Sequence, residues 1–131
     1  MSREMVEVVR RGIAAWNRRD LTAWMAGFHP DAEIDWSRSR GPLKGVYRDE
    51  GLRAFWADFW STFEDVQLEA HDYTETASEV VVPNTTRFRG RDGIELVARS
   101  AFVFTVRNGK ITRLRMFQGR GEALEAAGLS E

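Results

Sequence analysis

Between positions 2 and 19 the apolar residues fall at Met5, Val8, Val9, Gly12, Ile13 and Trp16, with charged residues between them. This i, i+3, i+4, i+7 spacing predicts an amphipathic helix, with Ser2 as its N-cap. Asp20 can cap a second, shorter helix that carries Leu21, Trp24, Met25 and Phe28 on one side and ends at His29. Pro30 and Asp31 then make a bend, because a residue before proline leaves the helical region. Beyond it the period becomes two, with Ala32, Ile34 and Trp36 on one face and Glu33 and Asp35 on the other, which predicts a half-buried strand. Gly41, Pro42 and Gly45 read as a loop. The helical rhythm returns from Asp49 to Phe63, where Leu52, Phe55, Trp56, Phe59, Trp60 and Phe63 form a broad aromatic stripe. Strands follow at about 66 to 76, 79 to 91, 93 to 107 and 110 to 118. The Asn108-Gly109 pair predicts a type I′ hairpin, and "EALEAAGL" a short closing helix or turn.

Helix, helix, strand, helix and then four strands predicts an α+β domain, a cone-shaped curved antiparallel sheet wrapped around the three helices of the N-terminal half. With 131 residues the chain is expected to be a single domain over 1–131. The space between such a sheet and its helices is the default ligand site.

Composition narrows the partners. Nineteen basic and twenty acidic side chains nearly cancel, so neither nucleic acid nor an anionic membrane is an expected partner. The absence of cysteine excludes disulfides and thiolate chemistry. The charged start "MSREMVEVVRR" and the lack of any long apolar window predict a soluble, cytoplasmic protein. No phosphate loop, dinucleotide fingerprint or helical histidine pair is present, so no cofactor and no metal are expected. Five tryptophans and eight phenylalanines supply a core and also suit the wall of a pocket for a hydrophobic small molecule.

The segments "FHPDAEIDW", "GVYRDEGLRAFW", "FVFTVRNGKITRLRMF" and "EALEAAGL" occur in an order and spacing that resembles the SnoaL-like, polyketide-cyclase-like branch of the nuclear transport factor two and ketosteroid isomerase superfamily. The likeness spans nearly the whole chain. It implies a cystatin-like α+β barrel and a homodimer formed by the outer face of the sheet. It does not imply one chemistry, since the superfamily holds isomerases, epoxide hydrolases, cyclases, dehydratases and inert binding modules. The isomerases' general-base aspartate aligns with Trp36, their oxyanion-hole tyrosine near Gly12 and its companion acid near Ala101. The epoxide hydrolases' late aspartate aligns with Met116, and their arginine and aspartate pair falls near Pro83 to Thr86, where no acid occurs. Neither typical chemistry is therefore expected.

If Ile34 and Trp36, Leu114 and Met116, and Ala101 and Val103 all face the helices, parity sends Arg99, Asn84, Thr86 and Gln118 inward as well. Arg99 would then stabilise developing negative charge, and Asp35 would be the nearest base only if the first strand bulges to turn it inward. Asn84, Thr86 and Gln118 would orient a ligand, and Trp16, Phe28, Trp36, Trp56, Trp60 and Met116 would wall it. Tyr47 would gate or cover the cavity, and His71 and Tyr73 would point outward. The same parity places Phe102, Phe104, Phe117, Arg113 and Arg115 on the outer face, as the dimer interface. The expected function is a small-molecule-binding protein, either a cofactor-free isomerase, cyclase, dehydratase or hydrolase of a hydrophobic cyclic metabolite, or a non-catalytic ligand-binding or dimerisation module.

Overall fold

A computed structural model describes residues 2–41 and 43–129, with side chains from Glu4 onward. The capping role expected of Ser2 and the place of Pro42 in its loop lie outside what is described. In chain order the elements are α1 (Ser2–Asn17), α2 (Leu21–Ala26), β1 (Phe28–Asp35), β2 (Val46–Arg48), α3 (Gly51–Thr62), β3 (Phe63–Ala70), β4 (Thr74–Glu75), β5 (Glu79–Gly90), β6 (Glu95–Arg107), β7 (Lys110–Phe117) and α4 (Arg120–Ala126). None of the described helices is long and apolar enough to cross a membrane.

The expected α+β class holds: helices of the N-terminal half lie on the concave face of a curved sheet ordered β2-β1-β7-β6-β5-β3, with β4 on β5. Two features differ from the expectation. The sheet is mixed, because β1 runs parallel to β7, and it stays unclosed, with β2 and β3 at its edges. The parallel pair is possible because one helix and five strands separate β1 from β7 in sequence, so no hairpin dictates their direction.

Asp20 caps α2 as its position suggests, its carboxylate accepting from the Ala23 amide at 3.1 Å. The helix nevertheless ends sooner than expected, at Ala26 with Gly27 as cap. His29, Pro30 and Asp31 belong to β1 and are exposed. Pro30 is tolerated because β2 pairs only with Glu33 to Asp35, which leaves the start of β1 as a free edge beside a register irregularity.

The β6-β7 hairpin forms at Asn108-Gly109, where both residues have positive φ, 51° and 76°. Arg107 faces Lys110 across it, and an unbroken ladder would set Met116 opposite Ala101. Thr112 instead stands as an extra residue: Val106 pairs Ile111, but Thr105 pairs Arg113, so Met116 faces Phe102. One residue of slip exchanges the two faces of β6.

The consequence corrects several expectations. Phe102 and Phe104, 5% and 4% exposed, sit in the main core with Val80, Val82, Leu114 and Met116. Ala101 and Val103 lie on the other face, joined by Val81 and Phe117 under Ala123 and Leu124 of α4. Leu129 closes back on α4 through its amide to the Leu124 carbonyl at 2.7 Å, with Gly128 at φ 82° supplying the left-handed turn. Under α4 the outer face is thus covered from within the chain. Phe102, Phe104, Phe117, Arg113 and Arg115 do not form the expected open interface. Arg113 pairs with Glu33 at 3.3 Å, and Arg115, only 12% exposed, holds Glu79 at 2.8 Å.

Candidate functional site

A cavity of about 440 Å³ lies between the concave face of the sheet and the helices. On the helical side it is lined by Gly12, Ile13 and Trp16 of α1, Trp24 of α2 and Phe55 and Phe59 of α3. Gly12 helps to keep this space open, since a Cβ there would meet nothing nearer than the Ile111 methyl at 3.7 Å. Trp16 is pinned by its indole N–H to the Val66 carbonyl at 3.1 Å and meets Trp24, Trp56 and Phe59 edge-on. On the sheet side the wall includes Phe28, Val66, Phe88, Phe102, Leu114 and Met116, and Trp36 packs on Phe55 and Phe102 with ring centroids 5.1 Å apart in each case.

Polarity enters this wall at one place. Asn84, 1% exposed, donates from Nδ2 to the Val82 carbonyl at 3.1 Å, and its Oδ1 accepts from Thr86 Oγ1 at 2.9 Å and Ser100 Oγ at 3.2 Å. The two hydroxyl-bearing residues line the cavity. The mouth is formed by Ser39 to Gly41 and Leu43 on one side and Leu96 to Arg99 on the other, with Gln118 reaching across to the Arg38 carbonyl at 2.6 Å. Among the described lining residues the only charged side chains are Arg40 and Arg99, both exposed, and none is Asp, Glu, His, Lys or Tyr. No group of three His, Asp or Glu among the described residues could hold a metal ion.

Six of the residues proposed from sequence as ligand contacts are brought together here: Trp16, Phe28, Trp36, Thr86, Met116 and Gln118. Asn84 stands behind Thr86 and Ser100 and reaches the cavity through them. Trp56 and Trp60 turn away and pack with Trp16 as core, 5.0 and 5.4 Å between ring centroids. Arg99 does not point into the cone. The Thr112 bulge sets it on the outer face with Ala101 and Val103, opposite Thr85, so it borders the mouth only and is exposed. An interior anion-stabilising role for Arg99 is therefore corrected.

Asp35 likewise stays on the outer side of β1, away from the cavity. Burial pushes its pKa up, but hydrogen bonds from the Ser37 hydroxyl and amide and the nearby Arg38 charge outweigh this, and the net pKa lies below the ordinary value of 3.8. It is an anion held at 2.6 Å from Ser37 Oγ and 3.3 Å from Arg38, not a base facing a ligand. Glu33 is used in the same manner by Arg48 and Arg113. His71 bonds Thr85 Oγ1 at 2.7 Å, also outside the cone, whereas Tyr73 packs against the core beneath Arg10. Tyr47 covers rather than gates: its hydroxyl donates to the Leu43 carbonyl at 2.7 Å, and burial, with the Asp58 charge, raises its pKa.

Sequence reasoning missed Ser100, Leu96 and Ala98 as lining residues, because it assigned their strand the wrong parity. Their signal lay in Phe102 and Phe104, whose bulk suits the side with room to fill.

A single curved sheet cradling helices around an apolar cavity defines the class of the nuclear transport factor two and ketosteroid isomerase superfamily. The SnoaL-like domain model matches residues 9–114, and the chain belongs to that family. Among solved structures the fold is similar to TerC co-crystallised with polyporic acid, at 23% identity and TM-score 0.79 over 88% of this chain and 92% of that one. It is similar to a Mycobacterium tuberculosis protein in complex with estradiol-17beta-hemisuccinate, at 14% identity and TM-score 0.79 over 91% and 95% of the two chains. It is also similar to the Δ5-3-ketosteroid isomerase of a Mycobacterium species, at 17% identity and TM-score 0.78 over 91% and 95%. A search of the curated proteins found no match.

Proposed function

We propose that this chain is a small-molecule-binding SnoaL-like protein that holds a hydrophobic, cyclic metabolite in the cone without supplying an acid or base to it. The observation that carries this reading is the cavity itself: about 440 Å³ of open, aromatic-walled space whose described lining holds no group that exchanges protons near neutrality. Isomerisation, dehydration and hydrolysis all need such a group, so the non-catalytic form of the fold is favoured over the enzymatic one. Thr86 and Gln118 would orient the ligand, and Trp16, Phe28, Trp36 and Met116 would contact its rings. The ring-bearing ligands held by TerC and by the Mycobacterium tuberculosis protein support a cyclic occupant.

Trp16, Trp24 and Trp36 in the wall make the test optical. Titration with estradiol-17beta-hemisuccinate, the ligand of that M. tuberculosis relative, should quench tryptophan fluorescence saturably with one equivalent bound. Gly12→Leu, which fills the cone from α1, should abolish the response while keeping the fold. A wild type with no saturable change would refute the reading.

A further inference from the structure

We propose that the cone selects a ligand bearing a hydroxyl or N–H donor, a cyclic alcohol or phenol, and seats that donor against Thr86 and Ser100. The inference rests on the binding reading above and adds the ligand's polarity to it.

The argument starts from Asn84, which lies opposite Ser100 and two residues before Thr86 on β5. Its Nδ2 donates to the Val82 carbonyl at 3.1 Å, an acceptor that only the NH2 end can satisfy, so Oδ1 is the end turned to the two hydroxyls. A carbonyl oxygen carries no proton. Thr86 Oγ1 at 2.9 Å and Ser100 Oγ at 3.2 Å must therefore each donate to it. A hydroxyl has one proton, so both oxygens are left with lone pairs only, set in a wall that is otherwise apolar.

A ligand hydroxyl or N–H pairs with these acceptors. A carbonyl, ether or anionic oxygen placed there would give up its water and meet two more acceptors, which is unfavourable in an apolar cavity. Other polar groups do not reverse this bias. Gln118 has one amide N–H on the Arg38 carbonyl at the mouth, where Arg40 and Arg99 also stand exposed, away from Thr86 and Ser100. The site is thus opposite in sign to an oxyanion hole, which presents donors.

The test compares 2-naphthol, uncharged at neutral pH, with 2-methoxynaphthalene and naphthalene, by calorimetry or tryptophan quenching. One net hydrogen bond predicts roughly fivefold tighter binding of 2-naphthol than of 2-methoxynaphthalene to the wild type. The Thr86→Val, Ser100→Ala double variant should bind the two equally. Asn84→Leu frees both hydroxyl protons to donate, so 2-methoxynaphthalene should gain on 2-naphthol; if that variant fails to fold, the double variant still decides. Equal binding of both probes by the wild type, or a 2-naphthol preference that survives the double variant, overturns this inference alone. Failure of all three probes to bind overturns the binding reading and this inference with it.

Discussion

Replacing Phe102 with alanine probes the register of β6, and with it the whole arrangement of the site. Phe102 is 5% exposed, packs on Trp36 at 5.1 Å and Phe104 at 6.2 Å, and faces Val82 and Met116 across its two ladders. Truncating a buried phenylalanine costs about 3–5 kcal/mol. One side of this ring already borders the cavity, so fewer contacts are lost than in a filled core, and the cost should fall near the low end, about 3 kcal/mol. A domain of this size has about 7–15 kcal/mol to lose, so the variant remains folded. With a urea dependence of about 1.5 kcal/mol per molar, the midpoint followed by tryptophan fluorescence should drop by about 2 M. Arg99→Ala, on the exposed face of the same strand, should change stability by less than about 0.5 kcal/mol. If Phe102→Ala proves as mild as Arg99→Ala, the strand is phased the other way and the site assignment collapses.

Other outcomes follow from the same geometry. Deleting Thr112 removes the bulge and would turn Phe102 and Phe104 outward, so no cooperative unfolding transition should be seen by circular dichroism. Gly12→Ala should raise stability by about 0.5–1 kcal/mol, because α1 gains a better helix former and the new methyl meets only Ile111 at 3.7 Å; thermal denaturation checks it. Leu124→Ala should cost about 2–4 kcal/mol and uncover Val103 and Phe117, seen as increased binding of a hydrophobic dye. Asp35→Asn should destabilise by about 1–2 kcal/mol at pH 7. Because the folded-state pKa of Asp35 is depressed, its contribution is present above 3.8 and lost as pH falls through the folded value, so the gap from wild type should close in acid.

The elements were legible wherever one periodicity dominated. The stripe from Leu52 to Trp60 became α3, and Asn108-Gly109 became the hairpin with both residues at positive φ. The inward parity of Ile34, Leu114 and Met116 also emerged, because charged residues flank Ile34 and Leu114 and Met116 follows at the same period. What could not be read was the run "AFVF" on β6, apolar on both faces because the helices cover one and α4 the other. Alternation is silent in such a run, and extending the register from the hairpin met a bulge that no residue type announces, since Thr112 is ordinary in a strand. That single residue sent Arg99 to the mouth and brought Ser100 into the wall.

The acids of the first strand face outward, as the alternation around Ile34 predicts: beside β1 the outer face of the sheet is polar, and Glu33 and Asp35 meet Arg48, Arg113 and Arg38 there. Trp36 carries more information than either, since it stands at the cavity wall in the position to which the resemblance assigns the isomerases' base.

The central claim is that the cone is an open site for a cyclic hydrophobic ligand. Native mass spectrometry of the wild type and Gly12→Leu, each mixed with estradiol-17beta-hemisuccinate, tests it most directly. The account predicts one bound ligand per chain in the wild type and none in Gly12→Leu. A wild type without an adduct, or an equal adduct in both proteins, would contradict it.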